Sequence, residues 1–167
     1  MTTTTTISAK QKTSTKPKAP KATDAIELLT ADHEEVSGLF AEYEKTRSAA
    51  RKKALVADIC SDLTVHAQIE EEIFYPAVKA ALKDKLLVPE ATIEHGGIKE
   101  LVAELEGVEP DGDMYDAKVR VLSEYVEHHV KEEQDEMFPK AKASSLDLVE
   151  LGARLAARKE ELMAQVA

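Results

Sequence analysis

From position 24 onward, hydrophobic residues recur at alternating steps of three and four, the spacing of one face of an α-helix. Ile26, Leu29, Val36, Phe40 and Tyr43 make the first face. Leu55, Ile59 and Leu63 open a second, on a helix beginning near Ala49, and Ile73, Ala77, Ala80 and Ala81 continue it. Ala91, Ile98, Val102 and Leu105 form a third face; Val119, Leu122 and Val126 form a fourth, on a helix from Met114 to Pro139. Asp24, with Glu27 three residues on, starts the first helix as a capping box. Lys83 to Pro89 is a connection, and GVEPDGD, from Gly107 to Asp113, is the clearest turn. Pro76 removes a backbone donor inside the second helix and predicts a kink there. Ser144, Ser145 and Asp147 begin a fifth helix, Leu146 to Ala164. Its stripe of Leu148, Leu151, Leu155 and Leu162 suits a cover across the bundle. The pattern predicts an all-α protein: an up-down four-helix bundle with a C-terminal fifth helix.

Polar residues break these faces at matching places. His33 sits within the first face and His95 within the third. His66 and Glu70 lie on the second, His129 and Glu133 on the fourth. HAQIEEEIFYP, from His66 to Pro76, and HVKEEQDEMFP, from His129 to Pro139, carry histidine, glutamate and proline at the same offsets. A lone histidine precedes each. The chain therefore reads as two similar halves, two helical hairpins related by a pseudo-twofold axis, with histidines converging from four helices.

Composition narrows the class. The 167 residues suffice for one domain with a real core; Trp is absent, and few glycines or prolines interrupt the helices. One cysteine excludes an internal disulfide framework, and no apolar run reaches the length of a membrane span. Residues 1–23 hold five of the 22 basic residues and no acid, so 17 basic residues face 32 acidic ones in the remainder, a net charge of −15. Such an acidic body argues against nucleic-acid binding. The basic Thr/Lys/Pro-rich tail reads as a disordered solubilising arm. It lacks the apolar stretch of a secretory signal and the arginines of a transit peptide, which places the protein in the cytoplasm. The domains are then a tail over 1–23, a bundle over 24–143 and an accessory helix over 144–167.

Residues four apart on a helix stack on one face, so His66 and Glu70 aim at one spot, as do His129 and Glu133. A buried carboxylate needs a partner, and a metal ion suits imidazole and carboxylate together. Four histidines and two carboxylates fit a dinuclear site, with Glu70 and Glu133 shared between the metals. The ferritin-like alternative needs Glu-x-x-His pairs, which this chain does not offer. The apolar face and the repeat select His129 over His128, and Glu133 over Glu132. Glu71 and Glu72 fall on a solvated edge, and Cys60 reads as a small buried hydrophobe. Gly96-Gly97 beside His95 allows close helix approach, a small-molecule channel, or simple tolerance.

ADHEEV around His33, HAQIEEEIFYP, EHGGIKEL around His95 and HHVKEEQDEMFP together resemble the hemerythrin-like, HHE cation-binding family, over about residues 24 to 143. The resemblance implies an oxo- or hydroxo-bridged pair of iron ions on His33, His66, Glu70, His95, His129 and Glu133. It also implies binding of dioxygen or related small molecules such as nitric oxide or peroxide, in sensing, storage or stress protection. A redox enzyme that consumes peroxide or oxidises iron is the alternative. Oxygen-carrying members have His-x-x-x-His on the third helix, whereas Lys99 stands four after His95. That leaves both metals with open positions, or a further ligand drawn from Glu132, Tyr43 or Tyr125.

Overall fold

Asp24 caps the first helix as expected: its carboxylate accepts from the Glu27 N–H, and Glu27 accepts from the Asp24 N–H. In this computed structural model, which describes residues 23–166, every regular element is helical. Helix α1 spans Ala25–Lys45, and α2 spans Ala49–Ile69 behind a Ser48 cap. A π-helical turn, Glu70–Phe74, joins α2 to α3, Tyr75–Ala81. Helix α4 spans Leu87–Leu105. Helix α5, Asp113–Glu132, passes through a second π turn, Glu133–Met137, into α6, Phe138–Lys142. Helix α7 spans Leu148–Val166. The bundle thus has four long rods, two of them with a π turn, and α7 packs against α1, α2 and the first π turn. Residues 1–22, which hold nearly all of the basic tail, lie outside the described residues.

At Pro76 the helix does not end: a π turn precedes it and α3 continues through it. A proline has no N–H to give, and a locally wider turn absorbs the missing bond while the rod continues. The wider turn also shifts the inward face by one residue. Phe74, Tyr75 and Val78 are buried, while Ile73 and Ala77 are only partly so and Ala80 and Ala81 are exposed. Pro89 does not end a connection but lies in the first turn of α4, where an absent N–H costs nothing.

Two apolar clusters fill the interior. One gathers Leu29, Ile69, Phe74, Val78, Phe138 and Leu155, among others, beneath α7. The other gathers Phe40, Leu55, Ile59, Leu105, Val119 and Leu122 toward the opposite end. Cys60 belongs to this second cluster, where burial pushes its thiol up to about 12. The two clusters share no residue, and the buried histidines and glutamates belong to neither.

Candidate metal centre

Two carboxylates and four imidazoles shut away from solvent demand an explanation, since Glu70 is 0 % and Glu133 2 % exposed. His33, His66, His95 and His129 are buried with them. The ligand-type atoms form two overlapping groups. One is His33, His66, Glu70 and Glu133; the other is Glu70, His95, His129 and Glu133. Both glutamates belong to both groups. The sequence placed these six side chains on four helices, and the fold brings all six together.

Their geometry is that of groups aimed at a common centre. His33 Nε2 and His66 Nε2 lie 3.2 Å apart, and His95 Nε2 and His129 Nε2 lie 3.0 Å apart. Ligands at right angles around an ion at about 2.1 Å are separated by roughly 3 Å. His66 Nε2 is 3.0 Å from Glu70 Oε1 and His95 Nε2 is 3.3 Å from it, yet neither Glu70 oxygen has a hydrogen-bond partner. Contact distance without hydrogen-bond direction is what convergent metal donors give. Two oxygens of a wholly buried carboxylate left unpaired are costly, and a cation between the groups removes that cost.

Each imidazole is oriented by a bond from its other nitrogen. His33 Nδ1 is 2.9 Å from Gln134 Oε1, and His66 Nδ1 is 3.0 Å from Asp32 Oδ2. His95 Nδ1 is 3.0 Å from Glu71 Oε1, and His129 Nδ1 is 2.5 Å from Glu94 Oε2. The residue before each lone histidine holds the paired histidine of its own half. The residue after each glutamate holds the lone histidine of the other half. Such bonds fix the ring and raise the basicity of the inward nitrogen. Glu71 is therefore part of the site's framework and not a free solvated edge. Lys99 does not face the cluster; both Glu71 oxygens accept from its Nζ at 2.7 Å.

The space beside the His95–His129 pair is occupied by a residue the sequence reading did not weigh. Tyr75 Oη lies 3.1 Å from His95 Nε2 and 3.3 Å from His129 Nε2, and it donates a hydrogen bond to Glu133. Burial, then the charges of Glu70 and Glu133, holds the Tyr75 phenol well above its ordinary range. Tyr43, Tyr125 and Glu132 do not fill that position. The Tyr43 hydroxyl donates to Asp116 at 2.6 Å, Tyr125 is 49 % exposed, and Glu132 pairs with the exposed His128. In the second half the matching residue is Phe138, stacked parallel on His33 at 5.9 Å. The tyrosine is where the repeat breaks its own symmetry, a signal present in the sequence.

Burial and neighbouring charges pull on the cluster's groups in opposite directions. Burial disfavours a charged His66, but Glu70, Asp32 and Glu133 outweigh it and raise the imidazole to about 10. Burial likewise opposes a charged His129, and Glu133, Glu70 and Glu94 raise it to about 9. Burial pushes the Glu133 carboxyl up, and the adjacent His129 and His33 imidazoles, at 3.0 and 3.3 Å, hold it well below the carboxylate range.

A helical bundle with histidines and shared glutamates at its centre defines a class of metal-binding proteins. The sequence-family model for the hemerythrin HHE cation binding domain matches residues 24–141. The chain belongs to the hemerythrin HHE cation-binding family. A crystal structure of an HHE cation binding domain-containing protein from Mycobacterium kansasii, a homolog of Rv2633c, superposes with a TM-score of 0.74 at 26 % identity, covering 86 % of this chain and 89 % of that one. The uncharacterized Rv2633c of Mycobacterium tuberculosis is 26 % identical over 143 residues, 83 % of this chain and 87 % of that protein. A Nostoc protein named DNA nickase is 28 % identical over 112 residues, 67 % of this chain, and the match spans 32 % of the nickase's length. Among the described residues no helix is long and apolar enough to cross a membrane.

Proposed function

We propose that His33, His66, Glu70, His95, His129 and Glu133 hold two iron ions that bind dioxygen, nitric oxide or peroxide in sensing, storage or stress protection. The observation that carries this reading is the pair of buried donor groups sharing both glutamates, with the Glu70 oxygens unpaired. Imidazole and carboxylate donors without thiolate suit iron, manganese or zinc, and the family implies iron. When bound, the ions would supply Lewis-acid and redox-active positions for a small ligand. The chain's own part is to orient four imidazoles and exclude bulk water, and Glu70 and Glu133 would serve both ions. Residues 24–143 form this metal-binding bundle, 144–167 an accessory helix, and 1–23 a solubilising arm in a cytoplasmic protein. The nickase's action on DNA is not carried over, because the shared stretch is a third of that protein and the body here is acidic.

Tyr75 favours the second reading, a redox enzyme consuming peroxide or oxidising iron. A phenol oxygen added to the His95–His129 half is a hard, anionic donor once deprotonated. It favours the more highly charged ion and opposes the easy return that reversible carriage requires. Elemental analysis of protein expressed with ample iron is expected to give two irons per chain. One metal, none, or zinc retained against excess iron overturns the reading. Tyr75→Phe is expected to keep both irons and lose a visible phenolate-to-iron absorption band; an unchanged spectrum removes Tyr75 from the ligand set. Dioxygen, nitric oxide and peroxide, offered in turn to the reduced protein, separate carriage from turnover.

A further inference from the structure

The four histidines line an internal cavity of about 30 Å³, and Glu70, Glu133 and Tyr75 do not line it. The cavity therefore lies on the imidazole side of the cluster. Its walls are apolar, with Val36, Leu63, Ile98 and Val126 among them. Its rim is formed by Asp32 and Glu35 of α1, Asp62 of α2, and Lys159 and Met163 of α7. Lys159 and Met163 lie four apart on α7 and so share one helix face. Lys159 Nζ donates to Asp32 Oδ1 at 2.5 Å, while Asp32 Oδ2 is 3.0 Å from His66 Nδ1. A helix beyond the four-rod bundle is thereby tied through one carboxylate to an imidazole of the cluster.

Size and charge then say what passes. A single water-sized probe needs roughly 10–15 Å³, so the cavity holds about two such atoms. The rim carries three carboxylates against one ammonium. Asp32 is compensated by Lys159 and faces His66, while Glu35 and Asp62 have no salt-bridge partner among the described residues. An acidic rim over apolar walls repels anions and does not hinder neutral molecules. We propose that α7 is the gate of the metal cluster: Lys159 and Met163 close the mouth of the histidine-lined cavity, which admits uncharged ligands of about two heavy atoms and turns anions away. This rests on the metal-centre reading for what lies at the cavity floor, and not for the mouth itself.

The test uses the full iron-loaded chain at pH 8 and low salt. At that pH Asp62, raised to about 6 by burial and by Glu35, is ionised. Stopped-flow association of nitric oxide with the reduced protein, and of azide with the oxidised protein, is compared across variants. Met163→Ala is expected to speed both ligands, and Met163→Trp to slow both by about tenfold, with metal content unchanged. Asp62→Lys is expected to speed azide by about tenfold and leave nitric oxide within about twofold. Rates indifferent to both Met163 substitutions place the path elsewhere, and azide indifferent to Asp62→Lys removes the charge filter. The chain has no tryptophan, so Met163→Trp also gives a unique emission that needs no bound metal. Acrylamide is expected to quench it better than iodide, and adding Asp62→Lys to narrow that difference; equal quenching overturns the acidic mouth. If metal analysis fails while the quenching contrast holds, the metal-centre reading has failed and the mouth has not.

Discussion

Two histidines stand side by side at 128 and 129, and a rotation of about 100° between neighbours sends them to opposite fates. His129 is 3 % exposed, with Nε2 3.0 Å from Glu133 Oε1. The His128 side chain is 65 % exposed and faces Glu94 and Glu132 on the surface. His129→Ala removes a donor from the cluster and leaves Glu94 and Glu133 without their imidazole. It is expected to lose most of the bound metal, whereas His128→Ala is expected to retain it, as elemental analysis of the two purified variants would show. The reverse result would mean that the register of the second half is shifted by one residue. The apolar face made this choice legible in the sequence, and the burial agrees. Tyr75 was not legible in the same way. On an ideal helix it stands about 140° away from Glu70, because five residues make 500° of turn. Only a π turn, with the Tyr75 N–H bonded to the Glu70 carbonyl, brings that phenol round to the cluster.

At the scale of elements, two glycines look alike in the sequence and differ in the fold. Of the pair Gly96-Gly97, expected to allow a close approach, a channel or simple tolerance, Gly97 lies against the Tyr125 ring, 3.4 Å from where its Cβ would stand, while Gly96 meets nothing. It is exposed, with nothing within 4 Å of where a Cβ would stand, and it does not line the cavity. For Gly96 tolerance is the reading that holds, so Gly96→Ala should stabilise α4 by up to about 1 kcal/mol in denaturant unfolding. Gly152 has no such room. A Cβ there would stand 2.7 Å from the Asp24 carbonyl carbon and 2.8 Å from the Ala25 nitrogen. Gly152→Ala must therefore push α7 off the start of α1. It is expected to lower stability by on the order of 1–3 kcal/mol. If Gly152→Ala left the melting temperature unchanged, the close docking of α7 would be refuted. The sequence announced α7 by its leucine stripe, and Leu151, Leu155 and Leu162 are indeed buried. It gave no sign that Lys159, on that helix, reaches Asp32.

For the whole molecule, the polar cluster couples metal, protons and stability. With His66 raised to about 10 and His129 to about 9, both carry protons at pH 7, whereas a metal takes the neutral imidazole. Loading at pH 7 should release about three protons per chain, one each from His66, His129 and the Tyr75 phenol, measurable with a pH indicator in weak buffer. The sign for the unloaded fold follows from the same shifts. A histidine raised above its unfolded value of about 6.5 contributes fully below that pH and loses the contribution as pH climbs through 9 to 10. Metal binding becomes easier over the same interval, since fewer protons must leave. The melting-temperature gap between loaded and unloaded protein should therefore widen from pH 6 to pH 9 in calorimetry. A gap independent of pH would mean that the histidines do not titrate against the metal.

Sequence alone determined the helices, their faces, the two-half repeat and the six converging side chains. These follow from local periodicity: an α-helix fixes which residues share a face, and a costly polar residue on an apolar face marks itself. Tertiary structure decided what depends on departures from that period or on contacts between distant rods. The π turns moved the buried face from Ile73 and Ala77 to Phe74 and Val78 and carried Tyr75 inward. The bonds that brace each imidazole join residues 24 to 101 positions apart. The mouth of the cavity exists only because α7 lies across α1 and α2, which no local pattern states.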